Sequence, residues 1–134
     1  MKWFTMNELC ASDTASKKGI ANKPGEAEKA RLEVLTERVL DPLREAYGKP
    51  IKVNSGYRCE ALNKAVGGAR TSHHVKGMAA DIAGTPNTKA ENRRLFELVQ
   101  ELGLPFTQLI DEKAFSWVHV SLDEGNVKKQ VLHL

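Results

Sequence analysis

The stretch Ser72-His73-His74-Val75-Lys76-Gly77-Met78-Ala79-Ala80-Asp81-Ile82-Ala83 decides how this chain is read. Residues 69–78 are loop-like, and Ala79-Ala80-Asp81-Ile82-Ala83 reads as a strand. Gly77 frees the backbone to turn, so His74 in the loop and Asp81 on the strand can face one point. Downstream, Ser116-Trp117-Val118-His119-Val120-Ser121 alternates like a half-buried strand. Trp117, His119 and Ser121 then share one face, while Val118 and Val120 face the core. Two histidines and one carboxylate form the ligand type that suits catalytic zinc, with a further position kept for water. A single histidine is more often hydrogen-bonded in place, and a single aspartate more often forms a turn. The set carries the reading, not its members.

Working outward, Trp3, Phe4, Met6 and Leu9 pin the N-terminus to a core through a short strand or turn leading into a helical turn. Residues 11–25, rich in Ser, Lys, Asn and Gly, read as a surface loop. A helix starts near Pro24-Gly25-Glu26, with Leu32, Leu35, Val39 and Leu43 at steps of three and four. Asp41-Pro42 is expected to bend it, and Gly48 and Pro50 to end it. Ile51 to Asn54 reads as a strand, Ser55-Gly56 as a turn, and Glu60 to Val66 as a short helix stopped by Gly67-Gly68. Asn87 or Thr88 caps a second long helix carrying Leu95, Leu98, Val99 and Leu102. Strands follow over Thr107 to Asp111 and Ser116 to Leu122, then a turn at Glu124-Gly125-Asn126 and an edge strand over residues 130–134. The class is α+β: a small, mainly antiparallel sheet with two main helices.

The bulk properties agree with one domain over residues 1–134. Apolar residues make up 41% and charged residues 28%, which excludes disorder as a class. The net charge of +3 comes without a basic stripe interleaved with aromatics, so no nucleic-acid partner is expected. No run approaches the ~20 apolar residues of a membrane span. Two cysteines, Cys10 and Cys59, fit no zinc pattern and read as small, partly buried thiols, with a disulfide between them left open. The N-terminal residues are too polar for a signal peptide, so a cytoplasmic product is expected.

The run Ser72, His74, Gly77, Ala79 and Asp81 resembles the Ser-x-His-x-x-Gly-x-Ala-x-Asp signature of the zinc D-alanyl-D-alanine carboxypeptidases. That group also holds D-Ala-D-Ala dipeptidases, phage endolysin peptidases and the hedgehog signalling-domain fold. Ser55-Gly56-Tyr57-Arg58 with Asn63, then Gln108-Leu109-Ile110, then Trp117 to Ser121, match the same family in the same order. The similarity covers nearly the whole chain and is strongest to short phage and prophage members. It implies a hedgehog/D-Ala-D-Ala peptidase-like fold and a Zn2+ ion held by His74, Asp81 and His119. It also implies hydrolysis of an amide bond in peptidoglycan stem peptides, if lysis or another system delivers the protein to the wall; the protein is expected to be a monomer. Arg58 would steady the oxyanion or a substrate carboxylate, with Tyr57, Ser72 and Trp117 around the bound peptide. His73 lies outside the ligand spacing and reads as a neighbour of the site or an exposed residue.

One position departs from the pattern. Many relatives carry an acidic general base where this chain has Ser116, and a serine cannot take a proton from a zinc-bound water near neutral pH. Other branches carry the acid upstream in a Gln-Leu-Ile-x-Glu pattern, which here falls on Glu112. Glu112 is therefore the expected base, with Asp111 the alternative and a solvated turn the plainer reading of both. The same departure keeps a rival reading open, a zinc-stabilised binding module without turnover.

Overall fold

A computed structural model describes residues 1–134. Five strands form one sheet in the order β1-β2-β4-β3-β5: β1 Lys52–Ser55, β2 Ala79–Ala83, β3 Gln108–Glu112, β4 Trp117–Ser121 and β5 Gln130–His133. All neighbours pair antiparallel except β3 and β5, which run parallel. The expected α+β class with a mainly antiparallel sheet is what the chain forms.

Both long helices stand where the apolar periodicity puts them. The first runs as α3 (Glu26–Leu35), a π-helical turn (Thr36–Leu40) and α4 (Asp41–Tyr47), numbered after two short helices described below. Leu32, Leu35, Val39 and Leu43 are fully buried, each worth about 1.5–3 kcal/mol over exposure. Pro42 has no N–H to continue the ladder, and the wider turn just ahead of it is where the helix adjusts. Asp41 N–H donates to the Thr36 carbonyl across this turn. The Asp41 carboxylate accepts the backbone N–H groups of Lys2 and Trp3 at 2.7 and 3.0 Å, which ties down the N-terminus. Gly48, at φ 76°, ends the helix in the left-handed conformation. The second long helix, Lys89–Glu101, is α6, and Thr88 rather than Asn87 caps it by accepting from Glu91 N–H at 3.2 Å. Its Leu95, Leu98 and Val99 join Val118, Val120, Ile82 and Leu109 of the sheet in one hydrophobic core, whereas Leu102, expected on the same face, falls at the C-cap and is exposed.

Residues 11–25 are not only loop. Met6–Cys10 (α1) is followed directly by a second short helix, Asp13–Lys18 (α2). Ser12 Oγ accepts the Ala15 N–H at 3.1 Å, and Gly19 at φ 65° stops the helix. Ala15 is its one buried residue, so there was no apolar period to read. Its signals are those of capping alone. The remaining helix, Glu60–Ala65 (α5), lies as expected, and a 3₁₀ turn forms at His73–Lys76 inside the predicted loop. No helix is long and apolar enough to cross a membrane.

Candidate metal centre

Sheet register brings the site together. Asp81 on β2 lies directly opposite His119 on β4, and Ser55 on β1 lies opposite Asp81 from the other side. His119 in turn faces Ile110 on β3. Ser55, Asp81, His119 and Ile110 thus form one row across four strands. A bulge in β1 between Val53 and Ser55 makes this register possible, because Asn54 is left over and Ser55 moves into the row.

His74 reaches the row from the 3₁₀ turn. Ser72 Oγ accepts the His74 N–H at 3.2 Å and shapes the start of the turn. Gly77 closes it at φ 75°, and a Cβ there would stand 2.5 Å from the Glu28 carbonyl oxygen. No other residue satisfies both the backbone and the space. The His74 ring is buried, and its Nδ1–H donates to the Gly56 carbonyl at 2.7 Å. A carbonyl can only accept, so this bond fixes the tautomer and leaves the Nε2 lone pair free to face Asp81. Gly56 is itself pressed against α1, where a Cβ would lie 2.2 Å from the Leu9 carbonyl oxygen.

Asp81 Oδ1 sits 3.4 Å from His74 Nε2 and 3.0 Å from His119 Nδ1, and the three ligand atoms lie within 4.8 Å of one another. Tetrahedral ligands at ~2.0–2.2 Å from a common ion stand roughly 3.3–3.6 Å apart, close to these separations. The donor set and its spacing fit a zinc ion. Burial alone would raise the Asp81 carboxyl pKa, but the hydrogen bond from His119, with the His74 imidazole beside it, outweighs burial and holds the group well below the usual carboxylate range. The carboxylate therefore stays ionised. Metal binding would displace the proton that His119 Nδ1–H shares with Asp81.

Arg58 packs against the other Asp81 oxygen, with Nη2 3.5 Å from Oδ2. Its Nε–H donates to Ser55 Oγ and an Nη1–H donates to Asn63 Oδ1, each at 3.0 Å. Asn63 is held in turn by donating to the Ala69 carbonyl at 2.9 Å. Burial lowers the guanidinium pKa and Asp81 opposes the shift. Arg58 and Ser55 also line a cavity of about 330 Å³ whose far wall is Ser12, Asp13 and Thr14 of the α2 region. The loop reading of residues 11–25 hid this wall.

Glu112 pairs with Trp117, so both lie on the face of His119. Asp111 points to the opposite face, where it is buried and bonded to His133 Nδ1. The two candidate acids are thereby separated by the sheet itself. Ser116 Oγ donates to the Lys113 carbonyl at 2.7 Å and serves the turn. Tyr57 needs correction as a wall of the cleft. Its ring is buried in the core with Phe4 and Leu9, and its N–H donates to the Leu9 carbonyl at 2.8 Å. Ser121, placed on the open face by alternation, is fully buried too, and its hydroxyl is satisfied there by accepting the Gln108 N–H. His73 is half-buried beside the site, and burial, then the neighbouring His119, lowers its pKa. Cys10 and Cys59 are free thiols, each half-buried.

Comparison with known proteins agrees with this geometry. Residues 2–121 match the family model described as peptidase M15. Over 82 residues the chain is 42% identical to the zinc D-Ala-D-Ala carboxypeptidase of Streptomyces albus G. That match takes in 59% of this chain and 30% of the relative, so the chain spans less than a third of the curated relative's length. With the family model spanning most of its residues, the chain belongs to the peptidase M15 family.

Proposed function

We propose that the chain is a zinc-dependent peptidase that hydrolyses an amide bond in peptidoglycan stem peptides. The observation that carries this reading is the convergence of His74, Asp81 and His119 on one point of a sheet face. The substrate class is supported by the relative's name, a zinc D-Ala-D-Ala carboxypeptidase. In this reading His74 Nε2, His119 Nδ1 and Asp81 Oδ1 are the atoms that would hold zinc. Zinc, when bound, supplies a Lewis acid that polarises a carbonyl and makes water nucleophilic near neutral pH.

The chain's own residues do the rest. Glu112 accepts the proton of the attacking water and returns it to the leaving amine. Its position on the face of His119, with Asp111 turned away, favours it over Asp111. Arg58 has five N–H donors, of which Ser55, Asn63 and Asp81 engage one each. The free donors on Nη1 and Nη2 are available to a developing oxyanion or to a substrate carboxylate. Trp117, on the same face as Glu112, offers an apolar wall to the peptide. All these groups come from a single chain, which is the basis for reading it as a monomer. Delivery to the wall, by lysis or by another system, completes the proposal.

The test is digestion of purified peptidoglycan by zinc-loaded protein, with products identified by mass spectrometry. Release of a terminal residue or of a shortened stem peptide is expected, and chelation should stop it. A protein that binds wall peptides and leaves every bond intact is the binding module, and the peptidase reading is then wrong.

A further inference from the structure

The hairpin joining β3 to β4 is built against backbone preference. Lys113, Ala114 and Phe115 have φ of 48°, 53° and 62°, a left-handed run with no glycine in it. Such a run persists only where its surroundings over-determine it. Inside the turn, Ser116 N–H donates to the Glu112 carbonyl at 3.0 Å. From outside, the polar restraint comes from one side chain, Asn92 on α6, which is 1% exposed. Asn92 Nδ2 donates to the carbonyls of Phe115 and Ser116 at 2.8 and 3.1 Å and to Asn87 Oδ1 at 3.0 Å. Its Oδ1 accepts the Gly84 N–H at 2.8 Å. The Phe115 ring adds an edge contact to Phe96 at 5.4 Å and lies under the Arg93 guanidinium at 4.8 Å. One face of α6 grips the turn.

We infer that Asn92 is a positioning residue for the acid of the site. By holding the carbonyls of Phe115 and Ser116 it keeps the left-handed turn closed, and the closed turn keeps Glu112 opposite Trp117 on the face of His119. A slip of one residue would reverse the faces and present Asp111 in place of Glu112. This inference rests on the reading of Glu112 as the base.

Asn92→Asp is the informative variant, since it keeps the oxygen that accepts from Gly84 and removes both donors to the turn. Turnover should fall about 10- to 100-fold, with KM and zinc content unchanged. Hydrogen exchange at the Ser116 amide, read without substrate, should speed up. Ala114→Gly, which suits the left-handed backbone, should restore most of the turnover when added to Asn92→Asp. If Asn92→Asp does not fold, Asn92→Ser carries the same readouts. Unchanged exchange at Ser116, or no rescue by Ala114→Gly, overturns the inference. Full activity of Asn92→Asp beside an inactive Glu112→Gln overturns it as well. A fully active Glu112→Gln shows instead that the base assignment has failed.

Discussion

Arg58 and Glu112 stand on opposite flanks of the same three side chains, one beyond β1 and the other on β3, and the chain holds them by different means. Arg58 is fixed through its own side chain, with Ser55, Asn63 and Asp81 each taking part of the guanidinium. Glu112 is fixed through its backbone, by the pairing with Trp117 and by a turn that Asn92 clamps from α6. The difference matches what each group is proposed to do. A group that meets developing charge works best preorganised, because donors already aimed need no rearrangement as the charge appears. A group that takes and returns a proton must reach two atoms in turn, and a carboxylate on a held backbone keeps rotamers to do so.

The comparison can be broken at several points. The centre between the flanks should matter most: His119→Ala is expected to lose zinc by elemental analysis and to lose all release of wall peptide. On the β3 flank, Glu112→Gln should keep zinc and melting temperature but lose about 10²–10⁴-fold in turnover. On the β1 flank, Arg58→Lys should cost about 10²-fold in turnover, because an ammonium keeps the charge and loses the fork. That variant should also melt lower, since the bonds to Ser55 and Asn63 go with it, at about 1–3 kcal/mol by denaturant titration. Stability and activity are therefore tied on the Arg58 side and separate on the Glu112 side. The smallest effect is expected from Asp111→Asn, which weakens the link to His133 by about 0.5–1.5 kcal/mol and leaves turnover alone. An inactive Asp111→Asn with a fully active Glu112→Gln would exchange the two acids.

Much of this was legible in the chain. The strand at Ala79–Ala83 follows from a short run of small and apolar residues after a loop, the strand around His119 from period-two patterning, and both long helices from their leucines. The three candidate ligands could be named because His74 and Asp81 sit in one dense motif and His119 in a second, and both resemble a known family in the same order. What escaped has physical causes. α2 has only Ala15 to bury, so hydrophobic periodicity is silent there. The choice between Asp111 and Glu112 depends on register, which is set by a left-handed turn through Lys113, Ala114 and Phe115. None of these is a glycine, so nothing in their letters announces that backbone. Asn92 looks like an ordinary polar residue in the first turns of a helix, and only tertiary packing reveals it as buried. Asn63 belonged to a recognised motif, but its grip on Arg58 is a matter of geometry.

The row Ser55–Asp81–His119–Ile110 has one more consequence, for how the protein behaves without its metal. In a zinc finger the ion gathers ligands that the unfolded chain leaves scattered, and chelation unfolds the domain. Here two of the proposed ligands are cross-strand neighbours, and the third is hung from the Gly56 carbonyl. The backbone ladder and the core have already gathered them. Stripping the ion should leave a folded protein that refills on mixing rather than on refolding.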